Sequence, residues 1–355
     1  MQNHGADIYT ASIESGINKI DIIDFSSNIN PLGIPQNVEV SAINSIKYSN
    51  IYPDINSREL IKSISIYENV PEDWIFVSNG AAEAIYRIAI YLKPENGLVT
   101  APTFSEYEQS LKVVGTNISY FNLYEYNEFK ITENILKNIS QETNIVFICN
   151  PNNPTGQITE KDALEKIIYK CNEVGAVVVI DECFMSFVEN NDKYTVIELL
   201  KKYSNLIILK AFTKIFAIPG IRLGYCMSSN TEIIKKLKLS GPPWNVSTIA
   251  QAAGITAVKE KEYLDKSVSY IKEQRNYLIN EMKKLNIKTY ESYANYIFFK
   301  ISEIDLKKEM LKKGILIRSC SNYVNLTDEY YRIAVKSEEE NRLFISKLRE
   351  IAEKI

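Results

Sequence analysis

One histidine, His4, stands in 355 residues. That scarcity removes histidine-based metal clusters and Ser–His–Asp relays from the chemistry open to the chain. The five cysteines (Cys149, Cys171, Cys183, Cys226 and Cys320) are odd in number, scattered and without a C-x-x-C pair. Most lie in apolar, strand-like runs, where a reduced thiol acts as a small hydrophobe, so we expect no disulfide framework, no metal site and a cytoplasmic setting. Excess charge is also lacking: 41 basic residues face 44 acidic ones, for a net charge of −3. Nothing electrostatic therefore points to nucleic acid or an anionic membrane as a partner. No run approaches the roughly 20 apolar residues of a membrane span. The opening Met1-Gln2-Asn3-His4-Gly5 has no basic stretch leading into an apolar one, so no signal peptide is expected.

The hydrophobic fraction of 45% and charged fraction of 24% are those of an ordinary globular protein long enough to bury a large core. Short apolar runs alternate with helix-like segments through the middle of the chain. Trp74–Ser78, Leu98–Ala101, Ile145–Cys149, Ala176–Ile180 and Leu206–Leu209 read as buried strands, with helices beginning near Ala81, Ser105 and Thr159. Ser105-Glu106-Tyr107-Glu108 and Ser337-Glu338-Glu339-Glu340 have the spacing of capping boxes. This order predicts an α/β fold, a three-layer α/β/α unit on a mostly parallel sheet. From about Ser247 the texture changes to long charged helices with isolated strands at Tyr296–Phe299 and Ile315–Arg318. We expect a large cofactor-binding domain over residues 29–246 and a smaller α+β domain formed by 247–355 with the arm 1–28.

Lys214 lies in a largely apolar run, Lys210-Ala211-Phe212-Thr213-Lys214-Ile215-Phe216, with Arg222 further on. Upstream come Asn152-Asn153-Pro154-Thr155-Gly156 and then Asp181-Glu182. An amine to hold an aldehyde, an acid for a ring nitrogen and an arginine for a phosphate together describe a pyridoxal phosphate site. Asn153, Asp181 and Lys214 each follow a strand candidate, where ligands bind in open α/β sheets. To act as nucleophile or base, Lys214 must lose a proton near pH 7 against an ordinary value of about 10.4, and apolar flanks with Arg222 nearby would favour that. Asn79-Gly80-Ala81-Ala82-Glu83 follows a strand and opens a helix, offering free backbone N–H groups to a phosphate. Thr213 adds a hydroxyl, and Phe104 an aromatic face for the ring. Taken singly, Asp181 also reads as a turn cap, Gly80-Ala81-Ala82 as close packing of a helix on a sheet, and Phe104 as core.

With these residues the chain resembles the fold-type I pyridoxal phosphate enzymes of the class I/II aminotransferase superfamily, over essentially its whole length. The resemblance implies that Lys214 carries the cofactor, Asn153 binds its ring hydroxyl and Asp181 its ring nitrogen. It implies that Arg332, in Tyr331-Arg332-Ile333-Ala334-Val335, binds a carboxylate. It also implies a homodimer in which Tyr52 reaches the neighbouring site. Two branches are most similar, the threonine-phosphate decarboxylases and the histidinol-phosphate aminotransferases. His4-Gly5-Ala6-Asp7, Asp24–Gly33 and Ile317–Asn322 resemble decarboxylase segments. This implies that His4, Gly5, Asn28, Asn153, Arg318 and Arg332 contact a small phosphorylated amino substrate. Phe184 stands where aminotransferases usually have tyrosine, leaving Asn153 alone at the ring oxygen. Ala211 replaces the usual hydroxyl residue of the phosphate cup, a loss of about 1–3 kcal/mol in cofactor retention if nothing substitutes. The preferred reaction is decarboxylation of O-phospho-L-threonine; the alternatives are histidinol-phosphate transamination with glutamate and 2-oxoglutarate, and a ligand-binding regulator without turnover.

Overall fold

The computed structural model describes residues 5–353. Runs of four to six residues, mostly β-branched or aliphatic, form seven strands of one sheet: β1 Ile75–Ser78, β2 Asn96–Ala101, β3 Asn117–Asn122, β4 Ile145–Cys149, β5 Val177–Asp181, β6 Leu206–Ala211 and β7 Gly224–Met227. Their order is β1-β7-β6-β5-β4-β2-β3, and β7 alone runs against its neighbours. The mostly parallel sheet expected from the sequence is therefore present.

Strand alternation divides the core between the two faces of this sheet. Val146, Ile148, Val178, Ile180, Leu206 and Ile208 join one apolar cluster, which includes Leu60 and Ile64 and also Leu164 and Ile168 from helices Arg58–Glu68 and Lys161–Glu173. Phe147, Val179, Ile207 and Leu209 join the other, with Ile85, Ile88, Leu111 and Ile234 from helices Gly80–Leu92, Ser105–Val113 and Thr231–Leu239. Each such side chain contributes about 1.5–3 kcal/mol by burial. Two buried faces require helices on both sides, so the unit has three layers.

A second sheet of four antiparallel strands comprises β8 Lys288–Thr289, β9 Tyr296–Lys300, β10 Arg318–Ser319 and β11 Tyr330–Ala334, in the order β10-β11-β9-β8. Beside it the N-terminal arm forms a separate two-stranded parallel sheet, Ile23–Asp24 with Ile315–Leu316. The Ala334 N–H donates to the Phe25 carbonyl at 2.8 Å, fixing the arm beside β11.

Two local expectations change. Ile315–Arg318 is not one strand: Ile315–Leu316 pairs with the arm and Arg318–Ser319 with β11, so the run turns at Ile317 from one sheet to the other. Ser105 is not a cap. It is the first helical residue, Phe104 holds the cap position without a side-chain bond, and Glu108 pairs with Lys112 instead. The box at Ser337–Glu340 is complete, with both reciprocal bonds made.

Candidate active site

The carboxyl ends of β1, β2, β4, β5 and β6 lie along one edge of the large sheet, and the reversed β7 begins on that same edge. Residues far apart in the chain therefore meet in one cavity of about 380 Å³. Lys214, Asp181, Asn153, Thr213, Arg222 and Phe104 line it, as do Ala81, Ala82, Gly5, Asn28, Arg318 and Arg332.

Lys214 sits in the single helical turn Phe212–Ile215 directly after β6 and is half-buried. Burial first, then the guanidinium of Arg332 and less strongly that of Arg222, brings its ammonium down to about 8. The apolar flanks act as expected, and Arg332 outweighs the sequence neighbour Arg222.

Asp181 closes β5 and is buried. Its Oδ1 accepts from the Cys183 N–H at 2.9 Å and its Oδ2 from the Tyr107 hydroxyl at 2.6 Å. Burial pushes its carboxyl upward, against the pull of these two bonds. Among the described residues it forms no ion pair, so a cationic ring nitrogen would supply the missing countercharge.

Asn153 is buried, and its Oδ1 accepts from Arg332 Nη1 at 2.5 Å and from the Tyr323 hydroxyl at 3.4 Å. The amide nitrogen is thereby directed elsewhere and can donate to a ring oxygen. Phe184 lies in the same wall, edge-on to Tyr296 with centroids 5.0 Å apart, and offers no hydroxyl.

For a phosphate, the start of helix Gly80–Leu92 presents free N–H groups beside Ala81 and Ala82. Gly80 has φ +74°, and a Cβ there would come 2.5 Å from Arg222 Nη2, so only glycine lets the guanidinium lie against the helix start. Arg222 is itself left-handed (φ 61°), held by Nη1 donating to the Pro219 carbonyl at 3.1 Å. Thr213 is buried at this end, and Ala211 has no hydroxyl to offer. The donor set fits pyridoxal phosphate.

Arg318 and Arg332 are directly opposite on β10 and β11, so both side chains leave the same face of the small sheet. Both are buried, and neither forms an ion pair among the described residues. Arg332 Nη2 donates to the Ser26 carbonyl at 2.7 Å, while its buried Nε has no partner among those residues. Arg318 Nη2 donates to Asn322 Oδ1 at 2.8 Å. Like charges placed opposite one another and shielded from water are costly unless an anion joins them. Asn28 Oδ1 is likewise buried without a partner among the described residues. Gly5 has no room for a side chain, because a Cβ would lie 2.3 Å from the Ser26 carbonyl oxygen.

Three expected residues do not line this cavity. Gly80 stands behind it, at the helix start against Arg222. His4 lies outside the described residues. Tyr52 is 78% exposed and rests on Trp244, ring centroids 4.6 Å apart. Conversely, sequence reasoning passed over Tyr107 and Tyr323. Tyr107 is three residues past Phe104 on the helix that follows, and Tyr323 adjoins Asn322, so proximity to quoted residues was the only signal.

Residues 20–348 match the family model for aminotransferase class I and II. The chain belongs to that family of pyridoxal phosphate-dependent enzymes. It is 32% identical to a threonine-phosphate decarboxylase of Salmonella typhimurium, over 98% of this chain and 96% of that protein. It is equally 32% identical to a histidinol-phosphate aminotransferase of Methanococcus aeolicus, over 94% and 91% of the two chains. The crystal structure of the histidinol-phosphate aminotransferase from Clostridium acetobutylicum superposes with a TM-score of 0.88 at 34% identity, covering 93% of this chain and 99% of that one.

Proposed function

We propose that this enzyme acts on a small phosphorylated amino compound and that its reaction is decarboxylation of O-phospho-L-threonine to an aminopropanol phosphate, a step of cobalamin biosynthesis. The observation that carries this reading is the buried, cross-strand pair Arg318 and Arg332 opening on the Lys214 cavity. Phosphothreonine brings both a carboxylate and a phosphate, so one molecule neutralises both guanidiniums. Arg332, whose Nε has no partner among the described residues, takes the carboxylate; Arg318 takes the phosphate, with His4 assigned to the same group.

Bound pyridoxal phosphate would supply an electron sink for the substrate's α-carbon. Asp181, supported by Tyr107, would keep the ring nitrogen protonated, and Asn153 would hold the ring oxygen. The helix start at Gly80, with Ala81, Ala82, Thr213 and Arg222, would hold the cofactor phosphate, and Phe104 would offer an aromatic face to the ring. Lys214, whose proton affinity is lowered, would hold the cofactor and would move protons at the α-carbon. Two fixed arginines orient the substrate, and orientation selects which α-carbon bond breaks.

Histidinol-phosphate transamination is the second reading, favoured by relatives of that name at the same identity. That substrate has a phosphate and no carboxylate, so Arg332 would serve glutamate in the other half-reaction. Incubation with each substrate separates them. Carbon dioxide from phosphothreonine supports decarboxylation; amino transfer from histidinol phosphate to 2-oxoglutarate, giving glutamate, with no carbon dioxide from phosphothreonine, rejects it.

Exposed apolar side chains at Ile43, Ile46, Ile51, Tyr52 and Ile55 support a homodimer in which Tyr52 reaches the partner's cofactor. No helix among the described residues is long and apolar enough to cross a membrane, and the cytoplasm is the setting assigned to this reaction.

A further inference from the structure

One carboxylate outside the cavity gathers donors from three strands of the small sheet. Glu125 lies in the short turn Glu125–Asn127 that follows β3 of the large sheet. It accepts from the Tyr290 hydroxyl at 2.6 Å, Lys288 Nζ at 2.8 Å, the Tyr330 hydroxyl at 2.9 Å and Lys300 Nζ at 3.4 Å. Partial burial opposes its ionisation, yet the bonds from Lys288, Tyr290 and Tyr330 hold its carboxyl down to about 2. The contact is therefore ionic at any working pH.

Its position relative to the arginines follows from register. Lys300 is opposite Tyr330, Phe298 is opposite Arg332, and Arg318 is opposite Arg332. Tyr330 and Arg332 are two apart on β11 and so leave the same face. The face that presents both arginines to the cavity is thus the face clamped by Glu125. Phe129, from the same loop, is buried edge-on against Tyr290, Phe298 and Tyr330, with centroids 5.2, 5.4 and 5.8 Å away. Asn325 Nδ2 adds a bond to the Leu123 carbonyl at 2.6 Å. Loop 123–129 is the large unit's hold on the arginine-bearing sheet at this end.

We propose that Glu125 is a positioning residue that sets the enzyme's affinity for its anionic substrate, by fixing the sheet that carries Arg318 and Arg332 against the Lys214 cavity. This rests on the reading that those arginines bind substrate anions. Glu125 touches neither cofactor nor substrate; it acts through Tyr330 and β11.

The test uses the cofactor-loaded enzyme and the variants Glu125→Ala, Glu125→Gln and Tyr330→Phe. Glu125→Ala raises KM for O-phospho-L-threonine about tenfold or more while kcat stays within about twofold. Cofactor occupancy stays close to the parent's, because the residues placed at the cofactor phosphate lie outside the small sheet. Glu125→Gln, which keeps an acceptor oxygen, recovers part of the loss. Tyr330→Phe, which removes one hydroxyl, moves KM in the same direction and serves if Glu125→Ala does not fold. An unchanged KM overturns the proposal, as does a kcat and cofactor occupancy that fall in step with KM. If the parent does not turn phosphothreonine over, the functional reading fails, and binding of inorganic phosphate followed by cofactor absorbance tests Glu125 separately. Weakening by about tenfold in Glu125→Ala supports the positioning role, and unchanged binding rejects it.

Discussion

Lys214 must shed a proton before it can bond an aldehyde. Only the neutral amine attacks an aldehyde, and burial with Arg332 and Arg222 nearby brings this lysine to about 8 from 10.5. At pH 8 about half of the molecules then carry the neutral amine, against about 0.3% for an unperturbed lysine, an advantage of about 150-fold. The assay mixes cofactor-free protein with pyridoxal phosphate between pH 6 and 10 and follows the change in cofactor absorbance. The rate constant is expected to rise about tenfold per pH unit up to a midpoint near 8 and then level off. Removing a cation restores proton affinity, so Arg332→Met moves the midpoint upward, and Arg222→Met moves it upward by less. A rate still climbing at pH 10 refutes the reasoning, as does an unmoved midpoint in Arg332→Met.

Two further outcomes follow from the geometry. Tyr107→Phe removes the hydroxyl that donates to Asp181 at 2.6 Å, so the carboxylate loses a charged hydrogen bond of about 1.5–3 kcal/mol. The cofactor dissociation constant, measured by fluorescence titration, should rise about tenfold or more. Gly80→Ala places a Cβ against the Arg222 guanidinium at φ +74°; cofactor binding should fall sharply while the melting temperature drops by only a few degrees, about 1 kcal/mol.

Lys214, Asp181 and Asn153 were readable in the sequence because each ends or follows a short, wholly apolar strand, and parallel sheets place such ends together. The three-layer architecture was readable for the same reason: fully apolar runs of four to six residues imply a sheet covered on both faces. The strand Gly224–Met227 was harder to read, since Gly-Tyr-Cys-Met has no β-branched residue and owes its conformation to the neighbours β1 and β6. The break at Ile317 was invisible locally, because apolar residues continue through it and only the arm and β11 decide the partners. Tyr107 carries no local mark of its role, which arises where its helix crosses the end of β5. The dominance of Arg332 over Arg222 at Lys214 is likewise a tertiary fact. It depends on the small sheet bringing β11 to the cavity.

Borohydride reduction of the cofactor-loaded protein, followed by peptide mapping, tests the central assignment most directly. The phosphopyridoxyl group is expected on the peptide containing Lys214, with loss of label and of activity in Lys214→Ala. Label on any other lysine, or full activity in Lys214→Ala, would contradict it.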